Sequence, residues 1–501
     1  MNFWRPVSVL AVCGGFLLAG CCCQRLIAQT FSNVTDTAIA GLGGGEAAWT
    51  DFDNDGFVDL HVDGAVWKNN GGVNFGRVTL KGSELEGSGI WGDYNNDGWA
   101  DYYSYSGRKL YRNEGESHPA SKFTEVSLAD AEFPEIQNGR GASWADHDND
   151  GDLDLYQGGY ETWPSAYYPD TTLRNNGDET FSVTWSQSPD TIVTPGRPRP
   201  ARGVTSADFD RDGDIDVYVS NYRLEPNGLY VNDGSGQFSD QGAEFGVRGE
   251  PEGSFPFGHT VGSAWGDLDN DGELDLFVGN FRHGWGDGSQ DHAKFLRNLG
   301  PQQGHHFELM KELDGDDWQE SYASPVLGDY DNDGDLDLFF TTVYGGDFPR
   351  LYRNDGNWTF TNQTQNAGLA ELGSTYQAAF ADYDNDGDLD LVTSGKLFEN
   401  TGNGNHWIKL KLVGDGKNVN RDAVGAQARI SMGDQTLTRQ VEAGTGEGNQ
   451  NDPVLHFGLG SHTGPVDLEI LWPGGSTQRV ADVAVDQLHT IPYAPGEASA
   501  N

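Results

Sequence analysis

The pattern D-x-[D/N]-x-D-G-x-x-D occurs seven times in this chain: DFDNDGFVD from Asp51, DYNNDGWAD from Asp93, DHDNDGDLD from Asp146, DFDRDGDID from Asp208, DLDNDGELD from Asp267, and DYDNDGDLD from Asp329 and again from Asp382. Oxygen side chains at positions 1, 3 and 5 of a tight turn converge on a hard cation, and Gly at position 6 supplies a backbone conformation that a Cβ resists. The closing acid stands at position 9, where an EF-hand has it at 12, so no exiting helix follows. The candidate ligands are Asp51, Asp53, Asp55 and Asp59; Asp93, Asn95, Asp97 and Asp101; Asp146, Asp148, Asp150 and Asp154; Asp208, Asp210, Asp212 and Asp216; Asp267, Asp269, Asp271 and Asp275; Asp329, Asp331, Asp333 and Asp337; and Asp382, Asp384, Asp386 and Asp390. All-oxygen donors favour Ca²⁺ over zinc or copper, with Mg²⁺ second because it prefers a smaller shell with retained waters. A metal-free acidic turn would explain one copy. Seven copies with aligned acids repel internally unless a cation neutralises them. Asn95 makes the second copy the least acidic and the expected weakest site.

Strands must position these loops. After six of the loops the chain reads VDLHV, LDLYQ, IDVYV, LDLFV, LDLFF or LDLV, with apolar residues flanking the position-9 acid, so the loop is expected to join two strands of a hairpin. An aromatic stands two places ahead of the first Asp at Trp49, Trp91, Trp144, Trp265 and Phe380. A second marker follows each loop, as in LYRNEG (110–115) and LYRNDG (351–356), and reads as a strand entering an Asn-Gly-type turn. An F-led strand then follows, as in FTEVS (123–127) and FTNQT (360–364). Repeats of this length built from four strands predict a seven-bladed β-propeller over residues 31–404. The seventh unit lacks its F-led strand, whereas FSNVT (31–35) stands unpaired before the first, so the N-terminal strand is expected to complete the last blade and remove a sheet edge. Residues 405–493 carry strand-like pieces without metal loops, a β-sandwich-sized module. The tail 494–501 reads as disordered.

Residues just ahead of each loop-bearing unit should face a central channel: Glu46, Arg140, Arg202, His259, Tyr376 and Gln377. Such a set would suit an anionic sugar, or a lyase using a base and an electrophile. The competing reading is channel polarity without chemistry. No nucleophile elbow, phosphate loop or zinc signature is present. A non-enzymatic role is expected, with a polysaccharide-active lyase or hydrolase as the alternative.

The formal net charge is −46, and the seven loops hold 32 of the 77 acidic residues. That balance argues against nucleic-acid partners and against electrostatic attachment to anionic lipid. All four cysteines lie at Cys13, Cys21, Cys22 and Cys23, so no disulfide framework supports the fold and metal is expected to take that part. Residues 1–20 read as an export signal, with an apolar stretch from Val7 to Ala19 ending Leu18-Ala19-Gly20-Cys21. This ending resembles the bacterial lipobox and implies lipidation at Cys21, a short linker over 21–30, and a monomeric body on the cell envelope, held to the membrane only by lipid or released outside.

The metal-loop units resemble FG-GAP/VCBS repeats of the integrin α-like propeller. The C-terminal module resembles the ASPIC/UnbV domain through Asn420-Arg421-Asp422-Ala423-Val424-Gly425-Ala426, His456-Phe457-Gly458-Leu459-Gly460, Val466-Asp467, Trp472-Pro473-Gly474-Gly475 and Asp486-Gln487. The pairing is similar to the cartilage acidic protein family and its bacterial envelope relatives. The resemblance implies up to seven structural Ca²⁺ ions and an extracytoplasmic role in binding a protein or glycan, and implies no reaction. The segment AGTGEGNQND (443–452) departs from the aromatic-containing stretch usual in that family.

Overall fold

A computed structural model of the chain describes residues 31–80, 84–115, 123–128, 138–189, 196–249, 257–281, 291–313 and 315–494. Cys21 and residues 1–20, read above as an export signal, lie outside these residues. The described chain is all-β apart from one α-helical turn at Thr35–Ala38 and short 3-10 turns.

Seven four-stranded antiparallel sheets each carry one acidic loop between two adjacent strands. In the first sheet these strands are Ala47–Thr50 and Asp59–Val62, followed by Ala65–Asn69 and Phe75–Arg77. The seventh sheet takes Ala378–Ala381, Asp390–Thr393 and Lys396–Asn400 from the C-terminal side, and Phe31–Asn33 pairs antiparallel with the last of them. The pairing anticipated for FSNVT is therefore present.

Burial falls from the first strand outward. In the first sheet every residue of the first two strands is buried, whereas the fourth buries only Phe75. The alternation read after each loop does not mark a half-exposed strand, because neighbouring sheets cover both faces. The recurring aromatics Trp49, Trp91, Trp144, Trp265 and Phe380 all lie in this core. The ring at loop position 2 packs on the aromatic of the following sheet, Phe52 on Trp91 and Phe209 on Trp265, with centroids 6.3 and 6.1 Å apart. The first strand of each sheet lies beside those of its two neighbours, and that of the seventh lies beside that of the first.

Two sets of side-chain contacts, all hydrogen bonds but for one ion pair, join every sheet to the next. The Asn of the second marker is buried and donates from Nδ2 to the carbonyl at loop position 2 of the preceding sheet. Asn113 reaches Phe52, Asn175 Tyr94, Asn232 His147, Asn298 Phe209, Asn354 Leu268, Asn400 Tyr330 and Asn69 Tyr383, over 2.7 to 2.9 Å. Loop position 4 links in the other direction. Asn54 donates to the carbonyl of Gly98, Asn96 to Gly151, Asn332 to Gly387 and Asn385 to Gly56. Asn149 and Asn270 donate to the carboxylates of Asp214 and Asp335, and Arg211 pairs with Glu273. The marker read as a turn is thus a latch between sheets.

The C-terminal module has a four-stranded sheet, ordered Gln435–Gln440, Gln427–Met432, Val466–Leu471 and Thr477–Val483, and a three-stranded one, ordered Leu455–Gly460, His406–Val413 and Leu488–Pro492. It covers the acidic loops. Thr438 and Gly458 donate backbone N–H groups to Asp267 and Asp329, and the backbone N–H of Asp93 donates to Asp422.

Candidate metal loops and the central channel

Each loop has one repeated geometry. The position-1 carboxylate accepts the N–H of position 6 in all seven, as Asp51 does from Gly56 at 3.0 Å. The position-5 carboxylate accepts the N–H of position 7, as in Asp55 with Phe57. Position 6 has φ between 89° and 104°, which only Gly takes without strain. Position 4 is left-handed, with φ from 56° to 62°, which explains Asn in six loops. The recurrence of Asn there is the sequence trace of that requirement, although the nine-residue pattern leaves position 4 open.

In the loops from Asp208, Asp267 and Asp329 the predicted ligands come together at positions 1, 3 and 5. Oxygens of Asp208, Asp210 and Asp212 lie within 4.8 Å of one another, as do those of Asp267, Asp269 and Asp271, and of Asp329, Asp331 and Asp333. In the loops from Asp51 and Asp146 it is position 9, at Asp59 and Asp154, that meets positions 1 and 3. Position 9 also serves the latch. In every sheet its Oδ1 accepts the N–H of the latch asparagine, as Asp59 does from Asn69 at 2.6 Å.

Burial pushes these carboxyls up, to about 8 at Asp59, Asp93 and Asp208 and to about 7 at Asp146, Asp331 and Asp384. A divalent cation among hard oxygens would restore the charged forms. The donor set fits one: among the described residues the Oδ1 atoms of Asp148, Asp269 and Asp331, all at position 3, are buried without a hydrogen-bond partner, as are Asp208 Oδ1 and Asp216 Oδ2.

The space between the seven first strands is filled by residues 443–452 of the C-terminal module. This segment bonds to the backbone of Trp144 through Ala443, of Ser263 through Gly446, of Ala47 through Asn449 and Gln450, of Trp91 through Gln450, and of Phe380 through Asn451 and Asp452. Asn449 also reaches Ser324 Oγ at 3.4 Å. At the tip Glu447 forms a buried ion pair with Arg202, whose Nε lies 2.7 Å from Oε1. Thus every sheet touches the insert. Burial raises the Glu447 carboxyl to about 7 against the pull of Arg202 and Arg140.

Of the six residues expected to line a channel, four gather around Glu447. Arg202 pairs with it and lies over Tyr376, 5.2 Å from the ring centroid. The charges of Glu46 and Arg140 act on it. Gln377 is instead buried, its amide spent on the carbonyls of Gly43 and Gly45. His259 accepts the N–H of Arg223 at Nδ1 and packs on Tyr222. Glu447 itself was out of reach of the repeat pattern, since it comes from the module that has no repeats.

Beyond Arg202, away from the acidic loops, aromatic rings and guanidinium groups form one continuous network of contacts, buried at Arg202, Tyr160 and Phe281. Arg202 lies over Tyr160 and Tyr222, Arg223 bridges Tyr222 and Trp163, and Tyr222 leads through Phe281 to Tyr344. Trp163 is 60% exposed and Tyr344 40%.

Residues 416–498 match the family model described as ASPIC and UnbV, and residues 93–156, 208–278 and 329–393 match that of the FG-GAP-like repeat. Cartilage acidic protein 1 of Mus musculus is 26% identical over 330 residues, which cover 59% of this chain and 46% of the mouse protein. The Homo sapiens protein is 26% identical over 326 residues, covering 58% and 44%. The chain spans about half the length of the curated relatives it matches. Among solved structures, the Dos1 propeller aligns with a TM-score of 0.34 at 9% identity, covering 69% of this chain and 75% of that one. The chain carries FG-GAP-like repeats followed by an ASPIC and UnbV domain and is homologous to cartilage acidic protein 1.

Proposed function

We propose that this chain of FG-GAP-like repeats and an ASPIC and UnbV domain is a closed seven-bladed propeller that holds calcium in its loops and serves as a non-enzymatic binding module for a glycan or protein. Closure is supported by the two sets of side-chain bonds, each of which runs from every sheet to the next and returns from the seventh to the first. Calcium is supported by the convergent carboxylates and their orphaned oxygens. When bound, the ion would supply charge neutralisation and pin the loops. Positions 1, 3 and 5 would hold it, with position 9 shared between the ion and the latch. The lipidation site at Cys21 and the acidic body fit display outside the cytoplasm on a lipid anchor. No helix among the described residues is long and apolar enough to cross a membrane.

The observation that carries the binding role is the pair of exposed rings, Trp163 under Arg223 and Tyr344, at the two ends of the aromatic–arginine network. Exposed rings beside guanidinium groups stack on sugar faces and serve as interface anchors. The polysaccharide-active alternative needs open space beside Arg202, where Glu447 is seated. The test is retention of the calcium-loaded protein on glycan arrays and on envelope proteins. Trp163→Ala and Tyr344→Ala should each weaken retention at least about tenfold. Unchanged retention in both variants would remove this surface from the function.

A further inference from the structure

The seven loops differ in what neutralises them without metal. In loop 1, Lys68 bonds to both Asp53 and Asp55. In loop 3, Arg174 lies 3.6 Å from Asp148. In loop 5, Arg297 lies 2.8 Å from both Asp269 and Asp271. In loop 6 Arg353 bonds to Asp355 beside the loop, and only its charge acts on Asp331 and Asp333. These four cations share one place in the repeat, directly before the latch asparagine. In loop 7 that place holds Glu399, and Lys409 of the C-terminal module reaches Asp382 at 2.8 Å instead. Loop 2 turns Arg112 away to Glu114 and Glu179, but Asn95 leaves it the fewest acids.

Loop 4 stands apart. Its residue before the latch is Val231, and its own Arg211 pairs with Glu273 of the next loop. Among the described residues no basic side chain bonds to Asp208, Asp210, Asp212 or Asp216. Asp208 Oδ1 and Asp216 Oδ2 have no hydrogen-bond partner, and their residues are 3% and 2% exposed. Asp208, Asp210 and Asp212 still bring their oxygens within 4.8 Å of one another.

We infer that loop 4 is the tightest calcium site and fills first, and that the residue before the latch asparagine sets the rank: Val231 leaves the ion unopposed, whereas Lys68, Arg174 and Arg297 compete with it at the carboxylates themselves. A side-chain cation touching the same carboxylates must be displaced by the incoming ion and then repels it at short range. Loop 4 has neither cost. The inference rests on the calcium reading above and adds an order to the sites, so that the ion lost last on dilution is that of loop 4.

The test is calorimetric titration of the chelated full chain with calcium chloride, together with the number of ions retained in native mass spectrometry. The wild type should show a tightest class of one ion per chain. Val231→Arg should weaken that ion at least about tenfold, Val231→Leu should leave it in place, and Arg297→Leu should bring a second ion into the tight class. Calcium that binds with an unchanged tight class in both Val231→Arg and Arg297→Leu overturns the ranking. A wild type that takes up no calcium overturns the underlying reading instead. Should Val231→Arg fail to fold, Asp212→Asn and Arg297→Leu decide: the first must remove the tight ion and the second must add one, and the absence of either change overturns the ranking.

Discussion

The latch asparagines make a prediction that is independent of metal. Asn298 is fully buried; its Nδ2 donates to Phe209 of the preceding sheet at 2.9 Å and to Leu274 at 3.3 Å, and its Oδ1 accepts from Gly300 at 3.0 Å. Asn298→Ala removes all three bonds at once. A buried carbonyl or N–H left without a partner costs about 1–3 kcal/mol, and relaxation of the Gly300 turn recovers part of the total, so a loss of about 3 kcal/mol is expected. With an unfolding entropy of about 2.1 cal/mol/K per residue, a cooperative unit spanning residues 31–404 would turn that loss into a fall of about 4 °C in Tm. Scanning calorimetry in excess calcium measures it. Asn298→Asp should do no better, because it loses both donors and sets a carboxylate against the Phe209 carbonyl. The exposed Asn366, bonded only to Gln363, is the control, and its alanine variant should change stability by less than about 0.5 kcal/mol. An Asn298→Ala protein melting within about 1 °C of wild type would refute the latch as a source of stability.

Chelation of calcium should lower Tm strongly and calcium should restore it, while Asp384→Lys should reduce the bound calcium by one ion per chain; a melting curve indifferent to exhaustive chelation would contradict the metal reading. The chelated protein should also lose stability as pH rises. Asp59 and Asp208 stand at about 8 and Asp146 at about 7 through burial, above the value they have unfolded, so they bind protons on folding. Their cost is therefore absent below about pH 4 and complete above about pH 8, and calcium-loaded protein should not show this slope when melting is followed across that window. At the centre, Arg202→Leu strands Glu447 as a buried unpaired acid, and a cost of about 3–5 kcal/mol is expected, read as easier proteolytic release of the C-terminal module. Glu447→Gln should cost less than Arg202→Leu, since the amide can still accept a hydrogen bond from the guanidinium; equal losses would show that the charge at Glu447 is not what anchors the insert.

The acidic loops were legible because their chemistry is local. Within nine residues, Asp51 bonds to Gly56 and Asp55 to Phe57, so spacing alone determines the turn. Position 4 carried a signal in its repeated Asn, but that Asn serves two purposes, tolerating φ near 57° and reaching the next loop, and only the first is local. The recurring Asn after each loop was equally visible and its role was not, since its acceptor lies 89 residues away for Asn298 and 314 for Asn69. Among the channel residues, Arg202 and Gln377 have the same polar character in sequence. One meets Glu447 and the other disappears into backbone bonding, a division made by the insert and not by the repeat.

By itself the amino-acid sequence determined the repeating unit, the number of its copies, the acidic turn of each loop and the strand that Phe31–Asn33 lends to the seventh sheet. These follow from turn geometry and hydrophobic pattern, which act between near neighbours, and from counting. The tertiary structure decided what occupies the centre, which loops carry a cation of their own and which aromatics stay exposed. Those outcomes depend on groups brought together from opposite ends of the chain, such as the N–H of Ala47 and the side chain of Asn449, 402 residues apart. Pairings of that kind arise only when the C-terminal module seats on the seven sheets and removes their polar inner edges from water.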